Sequence, residues 1–452
     1  MEQNLTNGSV FKNIIKFSLP YLLSYFLQTL YGMADLIIIG RFDGVEGTTA
    51  VSIGSQVMHM LTVMIVGLAM GSTVNIGRAV GAGDRENASE NIGNTVTLFM
   101  SLSAVLTVLL LLLTKPITAV MSTPAEAVTG TIKYLTVCFL GIPFIVAYNI
   151  ISSVFRGLGD SKSPMYFVAT ACVVNICLDI VFIGACDMGP LGAALGTTLS
   201  QAVSVIVSLL FIKKSKSNIS IKKSDLKPKK RTIGGLLRIG IPVSLQDGFI
   251  QISFIVITII ANRRGLTDAA AVGIVEKIIG FLFLVPSSML SSISALGAQN
   301  IGAGKPERAV KTMWYAMSIA VSFGVIVSVV MQFAAEPVIG LFTSDKAAVI
   351  SGGNYMRGYI FDCLFGGIQF CFSGYFCANG KSELSFIHNT VSILTVRIPG
   401  SYLMSKLFPE TLLPMGLASA AGSLLSVFIC LIMFFVLMQK GKTNRNAKLQ
   451  NN

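Results

Sequence analysis

Residues 80–88 read VGAGDRENA, and residues 301–309 read IGAGKPERA. The two stretches share five identities in nine positions at an offset of 221 residues. Glycines followed by polar residues are typical of a turn, and each stretch separates two long apolar runs. Because 221 residues is too long for the unit of a solenoid, we interpret the offset as two large repeated halves.

Further matches extend the repeat on both sides of this turn. Nearly the same offset relates Pro20 to Pro242, Tyr134 to Tyr355 and Gly159 to Gly380, while Pro190-Leu191-Gly192 resembles Pro414-Met415-Gly416. Each half contains six apolar stretches, an even number, so both halves start on the same side of a membrane. We therefore predict parallel repeats about an axis along the membrane normal, an arrangement typical of alternating-access carriers.

The apolar stretches are long enough to cross a bilayer. The chain has 452 residues, of which 53% are hydrophobic and only 12% charged, and its mean hydropathy is +0.74. A bilayer core of about 30 Å needs about 20 apolar residues of helix. We predict an all-α polytopic membrane protein with twelve transmembrane helices in two pseudo-symmetric six-helix lobes. The predicted spans are 14–40, 50–77, 91–114, 132–155, 164–186, 190–212, 236–262, 269–295, 312–335, 350–377, 384–407 and 413–438.

Positive charge is distributed unequally between the predicted loops. With the N-terminus placed in the cytoplasm, 24 of the 34 Lys and Arg residues fall on the cytoplasmic side and eight on the outer side. This bias follows the positive-inside rule and predicts a multi-pass protein of the plasma or inner membrane with both termini cytoplasmic. The net charge of +13 therefore reflects topology, and we expect no nucleic-acid partner.

A basic segment divides the chain near its centre. Residues 213–231 read KKSKSNISIKKSDLKPKKR, which is typical of a solvated cytoplasmic linker close to lipid. We predict an N-lobe at 1–212, this linker at 213–231 and a C-lobe at 232–452.

Motifs for metal binding and catalysis are missing from the sequence. The eight cysteines form no Cys-x-x-Cys and both histidines are solitary. Gly380-Lys381-Ser382 lacks the upstream glycine of a P-loop, since Tyr375 stands there. We expect neither an enzyme nor ATP-driven transport, and no cofactor apart from a coupling ion.

Two acids of the first half lie at membrane depth without a basic partner. Asp35 is on span 1 and Asp179 on span 5. At 1.5 Å per residue, both lie about 10 Å below the outer flank, as does Thr197 on span 6. Ionisable residues at such depth are costly and usually functional. The alternative is that each aspartate only hydrogen-bonds its neighbours.

Helical spacing places further polar groups beside these acids. Asn175 and Asp179, Tyr31 and Asp35, and Thr197 and Gln201 are i,i+4 pairs, each on one helix face. If the faces converge, one carboxylate would bind a proton, or the pair would coordinate a hard cation such as Na⁺ with Asn and Thr oxygens. Either arrangement is an ion-coupling site.

In the second half, an acidic and a basic residue lie at similar membrane depth. Asp362 and Arg397 lie at similar depth, and we interpret them as a buried ion pair with a structural role rather than a transport role. Asp247, on one face with Gln251, is placed toward a cytoplasmic cavity. Pro20, near the start of span 1, is a position where the helix could bend.

These residues resemble the multidrug and toxic compound extrusion (MATE) transporters, of the bacterial DinF-like or multidrug-exporter type. The likeness covers nearly the whole chain. It is carried by Pro20 with Asp35-x4-Gly40-Arg41, the turns Gly81-Ala82-Gly83 and Gly302-Ala303-Gly304, Arg156-Gly157-x-Gly159-Asp160, Asn175-x3-Asp179-x2-Phe182, and Gly192-Ala193-Ala194-Leu195-x-Thr197.

The resemblance implies a secondary antiporter that exports amphipathic, cationic drugs in exchange for H⁺ or Na⁺ by alternating access of two lobes. Asp35, Asn175, Asp179 and Thr197 match the family's N-lobe cation site. One branch relies instead on a C-lobe glutamate on span 7, where this chain has Asp247 and Gln251. We expect a monomer in contact with membrane lipids. The alternatives are a flippase for lipids or lipid-linked precursors, which should need cavity cations, and a channel.

Overall fold

The computed structural model describes residues 3–214 and 222–450, with side chains through residue 439. Helices account for all regular secondary structure in these ranges. They are α1 (Val10–Phe42), α2 (Gly44–Gly81), α3 (Arg85–Val120), α4 (Val128–Leu140), α5 (Ile142–Gly157), α6 (Lys162–Asp179), α7 (Gly189–Lys214), α8 (Lys230–Asn262), α9 (Leu266–Leu282), α10 (Leu284–Gly302), α11 (Pro306–Ile339), α12 (Lys346–Tyr359), α13 (Phe361–Ala378), α14 (Ser382–Ser392), α15 (Ile398–Leu407) and α16 (Leu413–Gln450). Two π-helical segments, Ile180–Ala185 and Ile393–Arg397, follow α6 and α14.

The chain is a multi-pass membrane protein. Among the described helices, ten spans are long and apolar enough to cross a membrane, and an eleventh is the pair α4–α5, bent by 50°. The twelfth predicted span, 384–407, falls on α14, its π-helical segment and α15, which run without a break. This region does not meet the same length and apolarity test, since it includes His388, Asn389 and Arg397.

The repeated turn is a helix C-cap. Gly83 and Gly304 have φ values of 72° and 71°, a conformation that glycine adopts without steric cost. The next N–H group, of Asp84 or Lys305, reaches back five residues to a helical carbonyl at 3.0 or 2.8 Å. These bonds are those of a Schellman motif, which satisfies the last carbonyls of a helix. The motif therefore ends α2 and α10 in the same way.

The two copies of the motif also pack on each other. A Cβ added to Gly81 would lie 2.0 Å from the carbonyl oxygen of Gln299, and one added to Gly302 would lie 2.0 Å from that of Arg78. Residue 78 corresponds to 299 and residue 81 to 302 at the offset of 221. The contacts are thus reciprocal between equivalent positions of the two copies of the motif, both of which lie in unit 1.

Two compact units make up the structure. Unit 1 comprises Met1–Ser244 and Ala298–Pro306, and unit 2 comprises Leu245–Gly297 and Glu307–Asn452. The core of unit 1 is formed by apolar side chains of α1, α2, α4, α5 and α7, and that of unit 2 by α8, α9, α12 and their neighbours. The division into lobes at 1–212 and 232–452 stays a prediction.

Part of the predicted linker lies against α3 within unit 1. Residues 215–221 lie outside the described residues. The exposed stretch 222–229 is held by Ser89, which donates to Asp225 Oδ2 at 2.7 Å, and by Lys229, whose Nζ lies 2.6 Å from Glu90 Oε2. The backbone N–H of Lys229 also donates to Asn94 Oδ1 at 2.7 Å. This stretch is therefore solvated but fixed in place.

The residues before α1 are also anchored in unit 1. Leu5 is buried, and its N–H donates to the side chain of Gln299 at 3.2 Å. Gln299 in turn donates to the carbonyl of Gly157 at 3.1 Å, while Lys305 Nζ donates to the carbonyl of Thr6 at 3.1 Å. The N-terminal segment thus joins the ends of α5 and α10.

Candidate functional site: a carboxylate cluster in unit 1

A polar contact connects α1 and α7. Thr197 donates a hydrogen bond from Oγ1 to Asp35 Oδ2 at 3.3 Å. Asp35 is 5% exposed, whereas every exposed position of α1 from Leu19 to Ile37 is apolar. A buried carboxylate needs compensating partners, and this threonine supplies only one of them.

The second carboxylate comes from α6. Asp179 is its last residue, Asn175 lies one turn earlier on the same face, and both are fully buried. The π-helical segment Ile180–Ala185 begins directly after Asp179. Such segments are rare and frequent at functional sites.

A glycine on α7 makes room for these side chains. A Cβ added to Gly196 would lie 2.0 Å from Asp179 Oδ1 and 3.6 Å from Asn175 Nδ2. The aspartate carboxylate therefore occupies the space that any other residue at position 196 would fill. The sequence offered one signal for this role, since Gly196 immediately precedes Thr197, but we did not single it out.

The two carboxyl groups are close enough to interact directly, and the Asn175 amide lies beside them. Within the described residues, Asp35 Oδ1, both carboxylate oxygens of Asp179 and both amide atoms of Asn175 are near one another but make no hydrogen bond of ordinary geometry. An ionised carboxylate only accepts hydrogen bonds, so two of them cannot satisfy each other. A proton shared by the two carboxylates, or a cation bound between them, would satisfy these oxygens.

Tyr31 and Gln201 extend the cluster by one helical turn, toward the start of α1 and the end of α7. Gln201 Nε2 donates to the Tyr31 hydroxyl at 3.5 Å, a contact between α7 and α1 one turn away from the Asp35–Thr197 contact. The structure thus brings together all six polar residues that helical spacing placed on these three faces. That they act in ion coupling stays a prediction.

Tyr134 on α4 belongs to the same neighbourhood and was not predicted as a site residue. Its side chain is buried and lies within electrostatic range of both Asp35 and Asp179. Its ring packs against Gly54, where an added Cβ would lie 2.3 Å from Cδ1. The recurrence of tyrosine at position 355 was the signal that could have identified it.

One buried acid of unit 2, Asp362, has a basic partner. Arg397 Nη2 lies 3.5 Å from Asp362 Oδ2 and donates to the Tyr359 hydroxyl at 2.5 Å. The Arg397 guanidinium also lies over the ring of Phe254, 5.2 Å from its centroid. All three polar side chains are buried or in contact with the core. The expected ion pair is therefore present, within a cluster of aromatic rings.

Glu276 extends this second cluster. It accepts a hydrogen bond from Thr258 Oγ1 at 3.0 Å, and it interacts electrostatically with Arg397. Asp247 is half-buried on α8, apart from these residues, and Gln251 shares its face. Pro20 lies inside α1, which is helical from Val10 to Phe42, so a bend at Pro20 stays a prediction.

The family model MatE matches residues 20–181 and, separately, residues 242–403. The two matches have the spacing of the internal repeat, and together they cover most of the chain.

Two bacterial proteins are similar over nearly their whole length. The probable multidrug resistance protein YpnP of Bacillus subtilis is 28% identical over 403 residues, which cover 89% of this chain and 90% of that protein. The multidrug export protein MepA of Staphylococcus haemolyticus is 25% identical over 432 residues, which cover 95% and 94%.

Solved structures share the fold. The crystal structure of a MATE protein in complex with MaL6 matches with a TM-score of 0.90 at 24% identity, over 97% of this chain and 99% of that one. At this identity the likeness concerns the fold alone.

Proposed function

Because the chain belongs to the MatE family of membrane transporters, we propose that it exports amphipathic, cationic compounds in exchange for H⁺ or Na⁺. The names of its relatives YpnP and MepA, a probable resistance protein and an export protein for multiple drugs, support the direction of transport. The protein would act as a monomer in the plasma or inner membrane, with both termini cytoplasmic and without ATP.

One structural observation supports the proposed ion-coupling step. Asp35 and Asp179 are buried next to each other, their free oxygens make no hydrogen bond of ordinary geometry among the described residues, and no Lys or Arg of the described contacts reaches them. Leaving buried charge uncompensated is strongly unfavourable. A proton or a Na⁺ ion bound between the carboxylates removes this cost.

Asn175 and Thr197 complete the proposed ion site. The amide oxygen of Asn175 and the hydroxyl oxygen of Thr197 are the neutral ligands that a hard cation accepts beside carboxylates. If a proton is the coupling ion instead, Thr197 holds Asp35 in position by its hydrogen bond. Both ions therefore use the same four side chains.

Exchange follows if the ion and the drug favour different conformations. In our proposal the ion binds the cluster from outside, and its binding favours the conformation from which drug is released outward. The lobes then rock, and the ion leaves to the cytoplasm. A ligand can shift such an equilibrium only by its difference in affinity for the two states.

Dye efflux from proteoliposomes tests this proposal, with a pH gradient and a sodium gradient imposed in separate experiments. We expect one of the two gradients to drive ethidium export, and Asp35→Asn and Asp179→Asn each to abolish it at normal protein level. Arg357→Gln, which removes a partly buried ion pair with Glu336 away from this cluster, serves as the control. Normal gradient-driven efflux by both aspartate variants would refute the coupling role.

A further inference from the structure

Lys277 is a charged residue on the exposed face of a membrane-spanning helix. It lies on α9, about 17 Å from the start of that helix at 1.5 Å per residue, and the span continues through α10 to Gly302. Its side chain is exposed, whereas the adjacent Glu276 points to Thr258 and Arg397. Lys277 is therefore near the middle of a bilayer core about 30 Å thick.

The lysine has no acidic partner in the described part of the chain. The ion pairs found there involve Glu90, Asp268, Glu336 and Asp362, all with other bases. A lone ammonium in contact with lipid tails is strongly disfavoured, and charged residues at this depth almost always face a bundle interior or a water-filled cavity. Its exposure consequently indicates water rather than lipid at this face.

The neighbouring positions on α9 support this interpretation. Gly273 and Gly280, one turn before and after Lys277, would each have open space around an added Cβ. Exposed faces that meet lipid look different. On α3 every exposed position from Val105 to Leu113 is apolar, so that stretch of the helix has no exposed polar side chain over two turns.

The repeat supplies an independent observation. At the offset of 221 residues, Lys277 corresponds to Gln56 on α2. Gln56 is exposed, and so are Ser52 and His59 one turn to either side. The same face of the equivalent helix is thus polar in unit 1 and carries a cation in unit 2. A polar face retained in each repeat is expected where that face of the helix meets water within its own unit.

We propose that Lys277 lies in the substrate path and selects, among cationic amphiphiles, those that also carry a single negative charge such as a carboxylate. This inference rests on the proposed export function and narrows its substrate class. A single ammonium balances one negative charge. Multiply charged phosphates would need further bases, and no other Lys or Arg is exposed on α9 among the described residues.

A matched pair of dyes tests the inference. A rhodamine free acid, which is zwitterionic at neutral pH, and its methyl ester, which is cationic, differ only in the carboxylate. We would measure the Kd of both for the purified protein in neutral phosphatidylcholine nanodiscs. Wild-type protein should favour the free acid, and Lys277→Gln should lower this preference about two- to fivefold, as expected for one partly solvated charge pair.

Three further variants sharpen the result. Lys277→Arg should keep the preference, and Lys277→Glu should reverse it toward the ester. Lys311→Gln, which removes an exposed lysine of α11, should leave it unchanged. The inference would be overturned if wild type, Lys277→Gln and Lys277→Glu had the same acid-to-ester Kd ratio. It would also be overturned if Lys311→Gln changed the ratio as much as Lys277→Gln does.

Transport of the same two dyes separates this inference from the proposed function. Gradient-driven export of the ester with an unaltered Kd ratio in the Lys277 variants leaves the export function standing and refutes the role of Lys277. If the protein exports neither dye under any gradient, but the acid-to-ester Kd preference is lost in the Lys277 variants, the role of Lys277 stands and the export function is refuted.

Discussion

Asp179 on α6 occupies the space that a side chain at Gly196 on α7 would fill, since an added Cβ would lie 2.0 Å from Asp179 Oδ1. The glycine thus allows the buried carboxylate to approach Asp35 and Thr197. Its contribution is steric and does not require any polar atom of its own. The relationship leads to a direct test of whether the cluster geometry matters.

We expect Gly196→Ala to reduce dye efflux about tenfold or more, because the added methyl group must displace the Asp179 carboxylate. Forcing a methyl group into a packed site costs about 1 to 3 kcal/mol. Gly234→Ala is the matched control, since an added Cβ at Gly234 in α8 meets nothing within 4 Å. Initial efflux rates of both variants at equal protein level provide the measurement. Equal rates would show that the position of Asp179 does not limit transport.

Thr197→Val should weaken the response to the coupling ion without abolishing it. Valine keeps the shape of threonine but cannot donate to Asp35, which now accepts a hydrogen bond at 3.3 Å. A lost hydrogen bond to a charged group costs about 1.5 to 3 kcal/mol, so we expect at least a tenfold higher ion concentration for half-maximal efflux. Titration of the driving ion measures this shift. An unchanged half-maximal concentration would argue against Thr197 as a ligand or positioning residue.

Arg397→Gln should destabilise the protein strongly, because it leaves Asp362 buried without its ion-pair partner. Breaking a buried pair from one side costs about 3 to 5 kcal/mol. The double variant Asp362→Asn/Arg397→Gln should recover part of the loss, since Asp362 then no longer contributes an unpaired buried charge. Thermal unfolding in detergent of the four proteins of this cycle measures the coupling. A double variant as unstable as the sum of the single variants would mean that the two side chains act independently.

The linker contact should depend on pH. The Lys229 ammonium and the Thr232 hydroxyl, which both donate to its carboxylate, hold the pKa of Glu90 below its usual value. A lowered folded-state pKa stabilises the folded form fully above the unfolded value of about 4.3, and this contribution is lost as pH falls through the folded-state pKa.

Glu90→Gln should therefore make residues 222–229 more accessible to protease at neutral pH, with only a small effect on global stability because the ion pair is solvent-exposed. The difference from wild type should vanish on acidification below the lowered pKa. Limited proteolysis over a pH series measures it, and Glu86→Gln, on the exposed first turn of α3, is the control. A difference that persists at low pH would exclude the carboxylate as its cause.

Much of the fold could be predicted because it depends on local patterns. Apolar runs of about 20 residues predict spans wherever they occur, and the positive-inside bias predicts orientation. The glycines at 83 and 304 end their helices because only a residue without a Cβ adopts their φ at no steric cost. The span at 384–407 was harder to judge, since its polar residues are buried in unit 2 and weaken the apolar signal.

Helical spacing also places Asp35, Asn175, Asp179 and Thr197 on defined faces, and their helix depths agree. Only the tertiary structure decides that the three faces meet, because convergence depends on how α1, α6 and α7 pack. The space left by Gly196, the position of Tyr134 and the anchored N-terminal segment depend on contacts between residues far apart in the chain.

The sequence by itself determined the class of protein, the two repeats and the presence of two acids without a basic partner. Each of these follows from composition or from spacing along one chain segment. The tertiary structure decided which groups are neighbours. It pairs Asp362 with Arg397, places Asp179 beside Asp35, and turns Glu276 inward while Lys277 stays exposed. Burial and pairing arise only when helices pack against one another, so they cannot be derived from the sequence of any single helix.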